Sequence, residues 1–241
     1  MISRRALLGV SLAILVPLLG YLIVDHYGKN VVPVPGYYIF EKVDTIRNNG
    51  KVTYDSVFHQ VKDFRLKNQL GQEVSMKDLE GKVLLVDFFF TSCPSICPTL
   101  TKNLKMVQDA YIKNDTLLQI LSFSVDPERD SVDKLRQYGY QHQINPDNWW
   151  LLTGSKKEIY DLARNEFFVS VTQGDGGPDD FIHTEKLVLI DKNRNIRGYY
   201  NGLDSNDIKR VASDIATLHL AKDRHRPGFI AFLKKLFSME N

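Results

Sequence analysis

The sequence predicts an α/β fold, a central mixed sheet flanked by helices, and three observations carry that prediction. Residues 83–90 and 117–125 are apolar runs of the kind that strands buried on both faces show. Between them Leu100, Leu104, Val107 and Tyr111 recur at helical spacing. Near the end, residues 187–190 and 196–200 flank the turn Lys192-Asn193-Arg194-Asn195 as a hairpin, and a capped helix over Ser205–Leu220 follows.

The other elements fall around this frame. Residues 31–49 hold Pro33, Pro35, Gly36 and the pair Asn48-Asn49 without clear periodicity, which predicts a spacer. Residues 57–66 are a strand candidate, turned at Asn68-Gln69-Leu70-Gly71. A helix is expected over residues 131–142, a short strand over 149–152, and a helix over 155–165 opened by a serine cap at Ser155. A βαβ half followed by a hairpin and a helix is the thioredoxin order, here with an N-terminal extension and additions in the middle. The chain contains no internal repeats.

At the N-terminus Arg4 and Arg5 precede an uncharged run from Ala6 to Val24, closed by Asp25 and His26. At 1.5 Å per residue the run spans close to the ~30 Å of a bilayer core, which predicts one retained transmembrane helix. No small-x-small cleavage site and no lipid-accepting cysteine follow it. The flanking arginines keep the N-terminus cytoplasmic and place the rest outside. Ser3-Arg4-Arg5 also resembles a twin-arginine export signal, which leads to the same side. The span starts almost at once, without a Ser/Arg-rich presequence, which favours a bacterial inner membrane over a mitochondrial one.

The expected organisation is therefore an anchor over residues 1–25, a spacer over 26–52, a thioredoxin-like domain over 53–220 and a tail over 221–241. In the tail Phe229, Phe232, Leu233, Leu236 and Phe237 repeat at helical spacing beside Lys234 and Lys235, an amphipathic segment. Of the formal charge of +2, the last twenty residues carry +3, which leaves −1 on everything before them. That balance argues against a nucleic-acid partner.

Two cysteines occur, in Thr91-Ser92-Cys93-Pro94-Ser95-Ile96-Cys97-Pro98, after a buried strand and before a helix. Pro98 suits the first helical position, which puts Cys97 at the cap and Cys93 in the preceding turn. Unpaired N–H groups and the helix dipole there favour thiolates at neutral pH. A structural disulfide is the plain alternative, although a loop this short stabilises by only ~2 kcal/mol. Two thiolates are soft ligands that suit Cu(I), commonly with an imidazole as the third. Among six histidines His183 stands apart, after the loop Gly174-Asp175-Gly176-Gly177-Pro178 and just before the strand at 187–190. On residues alone it remains open whether His183 is a ligand.

The run from Phe90 to Pro98, then Ser124-Val125-Asp126-Pro127-Glu128-Arg129-Asp130, then His183 with Leu187 to Asp191, resembles the Sco/SenC family of copper proteins of cytochrome c oxidase assembly. The resemblance covers roughly residues 55–220 and implies that Cys93, Cys97 and His183 are copper ligands, for Cu(I), Cu(II) or both. It implies delivery to the binuclear copper centre of a terminal oxidase subunit, with a copper donor or thiol reductant upstream. Ser92 stands where some family members have a histidine. Asp87, six residues before Cys93 as a buried acid is in thioredoxin, is a proton acceptor or a charge tuning the thiolates, or else a carboxylate bonded to backbone at a strand end. Asp126, with Glu128 and Asp130, either surrounds the metal ligands or simply turns the chain. Asp179 and Asp180 suit Cu(I) poorly and fit a solvated loop.

The competing function is a membrane-anchored thiol-disulfide oxidoreductase acting on cysteines of the oxidase subunit or another exported protein. In it Cys93 attacks a partner disulfide and Cys97 resolves the intermediate. It explains both cysteines and Asp87 but gives His183 no role. A peroxidase, with Cys93 oxidised by peroxide, has no neighbouring arginine to stabilise its thiolate.

Overall fold

A strand that is apolar on both faces needs cover on both, and residues 83–89 obtain it by becoming the middle of a sheet. The computed structural model describes residues 4–27, 34–48, 51–111, 116–169 and 184–220. The chain divides into two compact units, Met1–Val34 and Pro35–Asn241.

In the first unit Arg4–Tyr27 forms helix α1, with Pro17 inside it. A helix thus forms over the expected segment. The membrane span itself does not emerge: among the described residues no helix is long and apolar enough to cross a membrane.

The second unit opens with a hairpin where a spacer without regular structure was expected. Strand β1 (Phe40–Asn48) pairs antiparallel with β2 (Lys51–Phe58) as a separate two-stranded sheet. Its residues mix polar and apolar side chains without alternation, so cross-strand pairing rather than periodicity defines it. The strand expected over residues 57–66 divides accordingly: β2 ends at Phe58 and β3 begins at Arg65 (Arg65–Asn68). Residues 35–38 also have a fixed place. Arg197 donates Nε–H bonds to the Pro35 and Gly36 carbonyls at 3.0 and 3.1 Å and stacks over the Tyr37 ring at 4.2 Å.

Among the described residues seven strands form the main sheet: β3, β4 (Glu73–Ser75), β5 (Val83–Phe89), β6 (Leu118–Ser124), β7 (Trp149–Thr153), β8 (Lys186–Ile190) and β9 (Ile196–Asn201). Their spatial order is β4-β3-β7-β6-β5-β8-β9. The β5–β6 and β6–β7 pairs are parallel and the others antiparallel, which makes the sheet mixed as expected. The helices are α2 (Cys97–Tyr111), α3 (Val132–Gln141), α4 (Lys156–Asp161) and α5 (Ser205–Leu220). Helix α2 packs on α5, α5 on β5 and β9, and α3 on β7.

Local chemistry sets the ends of these elements. Gly71 takes φ +81° in the turn after β3, where Asn68 Oδ1 accepts the N–H groups of Leu70 and Gln72, both at 3.0 Å. Ser131 caps α3 by accepting the Lys134 N–H at 3.4 Å. Ser155 makes no such bond at α4, and the helix expected over 155–165 passes into a π-helical turn at Leu162–Glu166. At α5 the side-chain acceptor is Asp204, which takes the Asn206 N–H at 2.8 Å.

Sheet alternation sorts the core. Phe88 and Phe123, partners across β5–β6, have rings 5.5 Å apart, and each also meets Phe167. Asp87 and Phe89 belong to the opposite face of β5, where the Phe89 ring meets Tyr138 of α3 at 5.3 Å.

Candidate metal centre

The carboxyl end of β5 delivers the chain to the first cysteine. Both faces of that strand are buried, so its end is fixed in space, and Cys93 follows with its N–H bonded to the Phe90 carbonyl at 3.2 Å. Cys97 opens α2, one position further into the helix than the cap expected for it. The Leu100 N–H closes the first turn onto the Ile96 carbonyl at 2.9 Å. Both cysteines are free thiols and both are buried, at 7% and 3% exposure, which brings the pair together at one strand–helix junction.

Their acidities diverge. Burial pushes the Cys93 thiol up. Hydrogen bonds from the Cys97 thiol, the Cys97 and Ser95 backbone and the Ser95 hydroxyl outweigh burial and leave it below the ordinary thiol value. The Ser95 hydroxyl lies 3.7 Å from the Cys93 sulfur. Burial first, and then its hydrogen bond to Cys93, drives the Cys97 thiol far up. The expectation that the helix start makes both thiolates available holds for Cys93 alone, because desolvation at Cys97 exceeds what a helix terminus supplies.

Asp87 is 2% exposed and sits opposite Ser122 in the β5–β6 register. Its carboxylate accepts the Ser122 hydroxyl, which in turn accepts the Trp149 indole N–H at 2.8 Å. The Asp87 carboxylate is thus bonded to a hydroxyl of the neighbouring strand in the sheet. Burial raises the Asp87 carboxyl to about 7, against the lowering effect of Ser122. Its charge acts on Cys97 and, with the cysteines, on Tyr138. Tyr138 bonds Thr101, one turn beyond Cys97, at 2.7 Å.

Asp126 is buried and pairs with Arg129, while its carbonyl accepts the N–H groups of Arg129 and Asp130 at 3.1 and 2.9 Å. The Asp126-Pro127 step does turn the chain. Glu128 is exposed. Asp130 is the residue whose importance sequence reasoning underrated: it is fully buried and bonds both Thr91 and Ser124. The Ser122–Trp149 pair behind Asp87 was missed altogether. The signal available was a polar residue at the matching position of two neighbouring apolar strands.

His183, Asp179, Asp180, the loop at 174–178 and the tail at 221–241 lie outside the described residues. Among the described residues no group of three or more His, Cys, Asp or Glu side chains is arranged to hold a metal ion. The described part of the centre is thus a dithiol with a buried acid nearby.

A family model described as SCO1/SenC matches residues 53–219. The SCO1 protein homolog of Bacillus subtilis is 32% identical over 174 residues, 72% of this chain and 90% of that protein. The structure of BsSco, described as a member of the Sco family of cytochrome c oxidase assembly proteins in which a disulfide switch was identified, shares 32% identity. It superposes with a TM-score of 0.59 over 68% of this chain and 95% of its own. Bradyrhizobium japonicum ScoI, solved with copper bound, shares 26% identity with a TM-score of 0.55 over 66% of this chain and 99% of its own. With both cysteine and D-P-E-R-D motifs inside the matched region, the chain belongs to the SCO1/SenC family, and its α/β fold is the thioredoxin-like Sco fold.

Proposed function

We propose that this protein binds copper through Cys93, Cys97 and His183 and delivers it to the binuclear copper centre of a cytochrome c oxidase during assembly. The observation that carries the reading is the buried pair of free thiols at the β5–α2 junction. Soft sulfur donors out of water suit Cu(I), and the Cys93 thiol is more acidic than an ordinary thiol because hydrogen bonds from Cys97 and Ser95 outweigh its burial. Membership of a family that includes a copper-bound relative supports copper as the cargo. His183 supplies the third, borderline donor, leaving a site of three ligands open enough for exchange with the thiolates of an acceptor subunit. Copper arrives from a donor protein, or the dithiol is first restored by a reductant.

The same proposal assigns residues 1–25 to an inner-membrane anchor with its N-terminus inside and residues 26–34 to a spacer ahead of the β1–β2 hairpin. Residues 53–220 form the copper domain on the outer side, and residues 221–241 a basic tail. The anchor rests on the uncharged sequence from Ala6 to Val24.

A specific observation keeps a second reading alive. A lowered Cys93 beside a raised Cys97 is the split expected of an attacking and a resolving thiol. In that reaction the Cys93 thiolate breaks a partner disulfide and forms a mixed disulfide. Cys97 then loses its proton and displaces the partner, which leaves reduced by two electrons as a Cys93–Cys97 disulfide closes.

His183→Ala separates the two. Residues 26–241, reduced and titrated anaerobically with Cu(I), should bind copper stoichiometrically, and the variant should retain it far more weakly while its dithiol still cycles. In cells under limiting copper the variant should fail to mature the oxidase. A variant that assembles active oxidase normally would refute copper delivery in favour of thiol exchange.

A further inference from the structure

Two strands end side by side above the sheet, β5 leading to Cys93 and β6 leading to the turn at residues 126–130. The Cys97 sulfur is placed by a helix. Cys93 sits in the loop between β5 and α2, so the distance between the sulfurs depends on how the chain leaves β5. One buried carboxylate bonds both the backbone and the side chain of Thr91 at that exit. Asp130, with no exposed surface, accepts the Thr91 N–H at 3.1 Å, the Thr91 hydroxyl, and the Ser124 hydroxyl at 2.6 Å. The Ser124 oxygen also receives the Asp126 N–H at 3.2 Å, and the Asp130 N–H returns to the Asp126 carbonyl at 2.9 Å. The turn thereby closes on itself and on the residue two before Cys93.

We infer that Asp130 is a positioning residue that sets the spacing of the Cys93 sulfur from Cys97 by tying Thr91 to the end of β6. The inference rests on the copper-binding reading above. Its chemistry is simple. A carboxylate offers acceptor sites to three donors at once, whereas an amide presents one oxygen and two donors of its own. Asp130→Asn therefore sets an N–H against Thr91 or Ser124 and frees the Cys93 loop, with little change in volume.

The test uses the reduced full-length chain in detergent, wild type and variants, with Cu(I) affinity measured by competition against a chelator of known strength. The Cu(II) form supplies a second readout, its sulfur-to-copper charge-transfer absorption. Asp130→Asn should weaken Cu(I) binding at least tenfold and shift or broaden the absorption of the folded fraction. A merely structural role would lower the folded fraction and leave that absorption in place. Thr91→Val and Ser124→Ala, which remove one hydroxyl each and keep the carboxylate, should give smaller losses in the same direction and serve if Asp130→Asn does not fold. Wild-type affinity and absorption in all folded variants would overturn the positioning role alone. A wild-type chain that binds no copper would overturn the copper reading, and the inference with it.

Discussion

Ser122 donates its hydroxyl to Asp87 across the parallel β5–β6 pair, and both side chains are buried. Burial holds the Asp87 carboxyl at about 7. Below pH ~4 it is protonated in both the folded and the unfolded chain and contributes no pH dependence. Between pH ~4 and about 7 the unfolded chain has released a proton that the folded chain keeps. Folding stability accordingly falls as pH rises through that window and levels off above it. At ~1.36 kcal/mol per pH unit the fall amounts to roughly 4 kcal/mol. Asp87→Asn should lose this slope and gain on the wild type as pH rises, in urea unfolding followed from pH 4 to 8. Parallel curves would mean that Asp87 ionises freely in the fold.

Selective alkylation should expose the split between the thiols. Cys93 is lowered and Cys97 raised, so a limiting amount of iodoacetamide at neutral pH should modify Cys93 first. Peptide mass mapping reads the order. Equal labelling at early times would remove the electrostatic asymmetry from the site.

Arg197 joins the buried Asp191 carboxylate at 2.7 Å to the backbone of residues 35 and 36. Its removal strands a buried charge, although the Asn193 and Asn195 N–H groups still bond Asp191. Arg197→Ala should cost about 3 kcal/mol and open residues 35–38 to proteolysis. Arg197→Lys should recover part of the stability and little of the protection, because an ammonium cannot reproduce the planar fork. Unchanged cleavage near residue 36 in the alanine variant would contradict this.

Gly202 lies against the first turns of α2. A Cβ there would stand 2.2 Å from Leu100 Cδ1 and 3.1 Å from the Glu185 carbonyl oxygen. Its own carbonyl accepts Asn103 Nδ2–H at 2.8 Å, so the backbone cannot retreat without loss. Gly202→Ala should destabilise by roughly 1–3 kcal/mol, read as a lower urea midpoint with unchanged slope. A variant as stable as the wild type would show that Leu100 repacks freely.

Removal of residues 1–25 should leave a soluble chain that melts as the full-length protein does in detergent, since the buried core runs from Val61 to Leu218. Persistent aggregation of that truncated chain would move the boundary.

Strong periodicity and strong punctuation made most of the main sheet legible in the sequence. The apolar runs became β5 and β6, the helical repeat became α2, and the turns at Asn68–Gly71 and Lys192–Asn195 formed where Asn and Gly predicted them. The placement of Cys93 and Cys97 at one strand–helix junction was fixed by local signals as well. What depends on partners far along the chain was not legible. The β1–β2 hairpin has no alternation of its own, and the anchoring of residues 35–38 depends on Arg197, some 160 positions away. Local sequence placed both thiols at a helix start, but only the packed interior decided that Cys93 gains acidity while Cys97 loses it, because desolvation is a property of what surrounds a group. The same holds for Asp130, which sequence marks as one acid in a turn and which tertiary structure buries against Thr91 and Ser124.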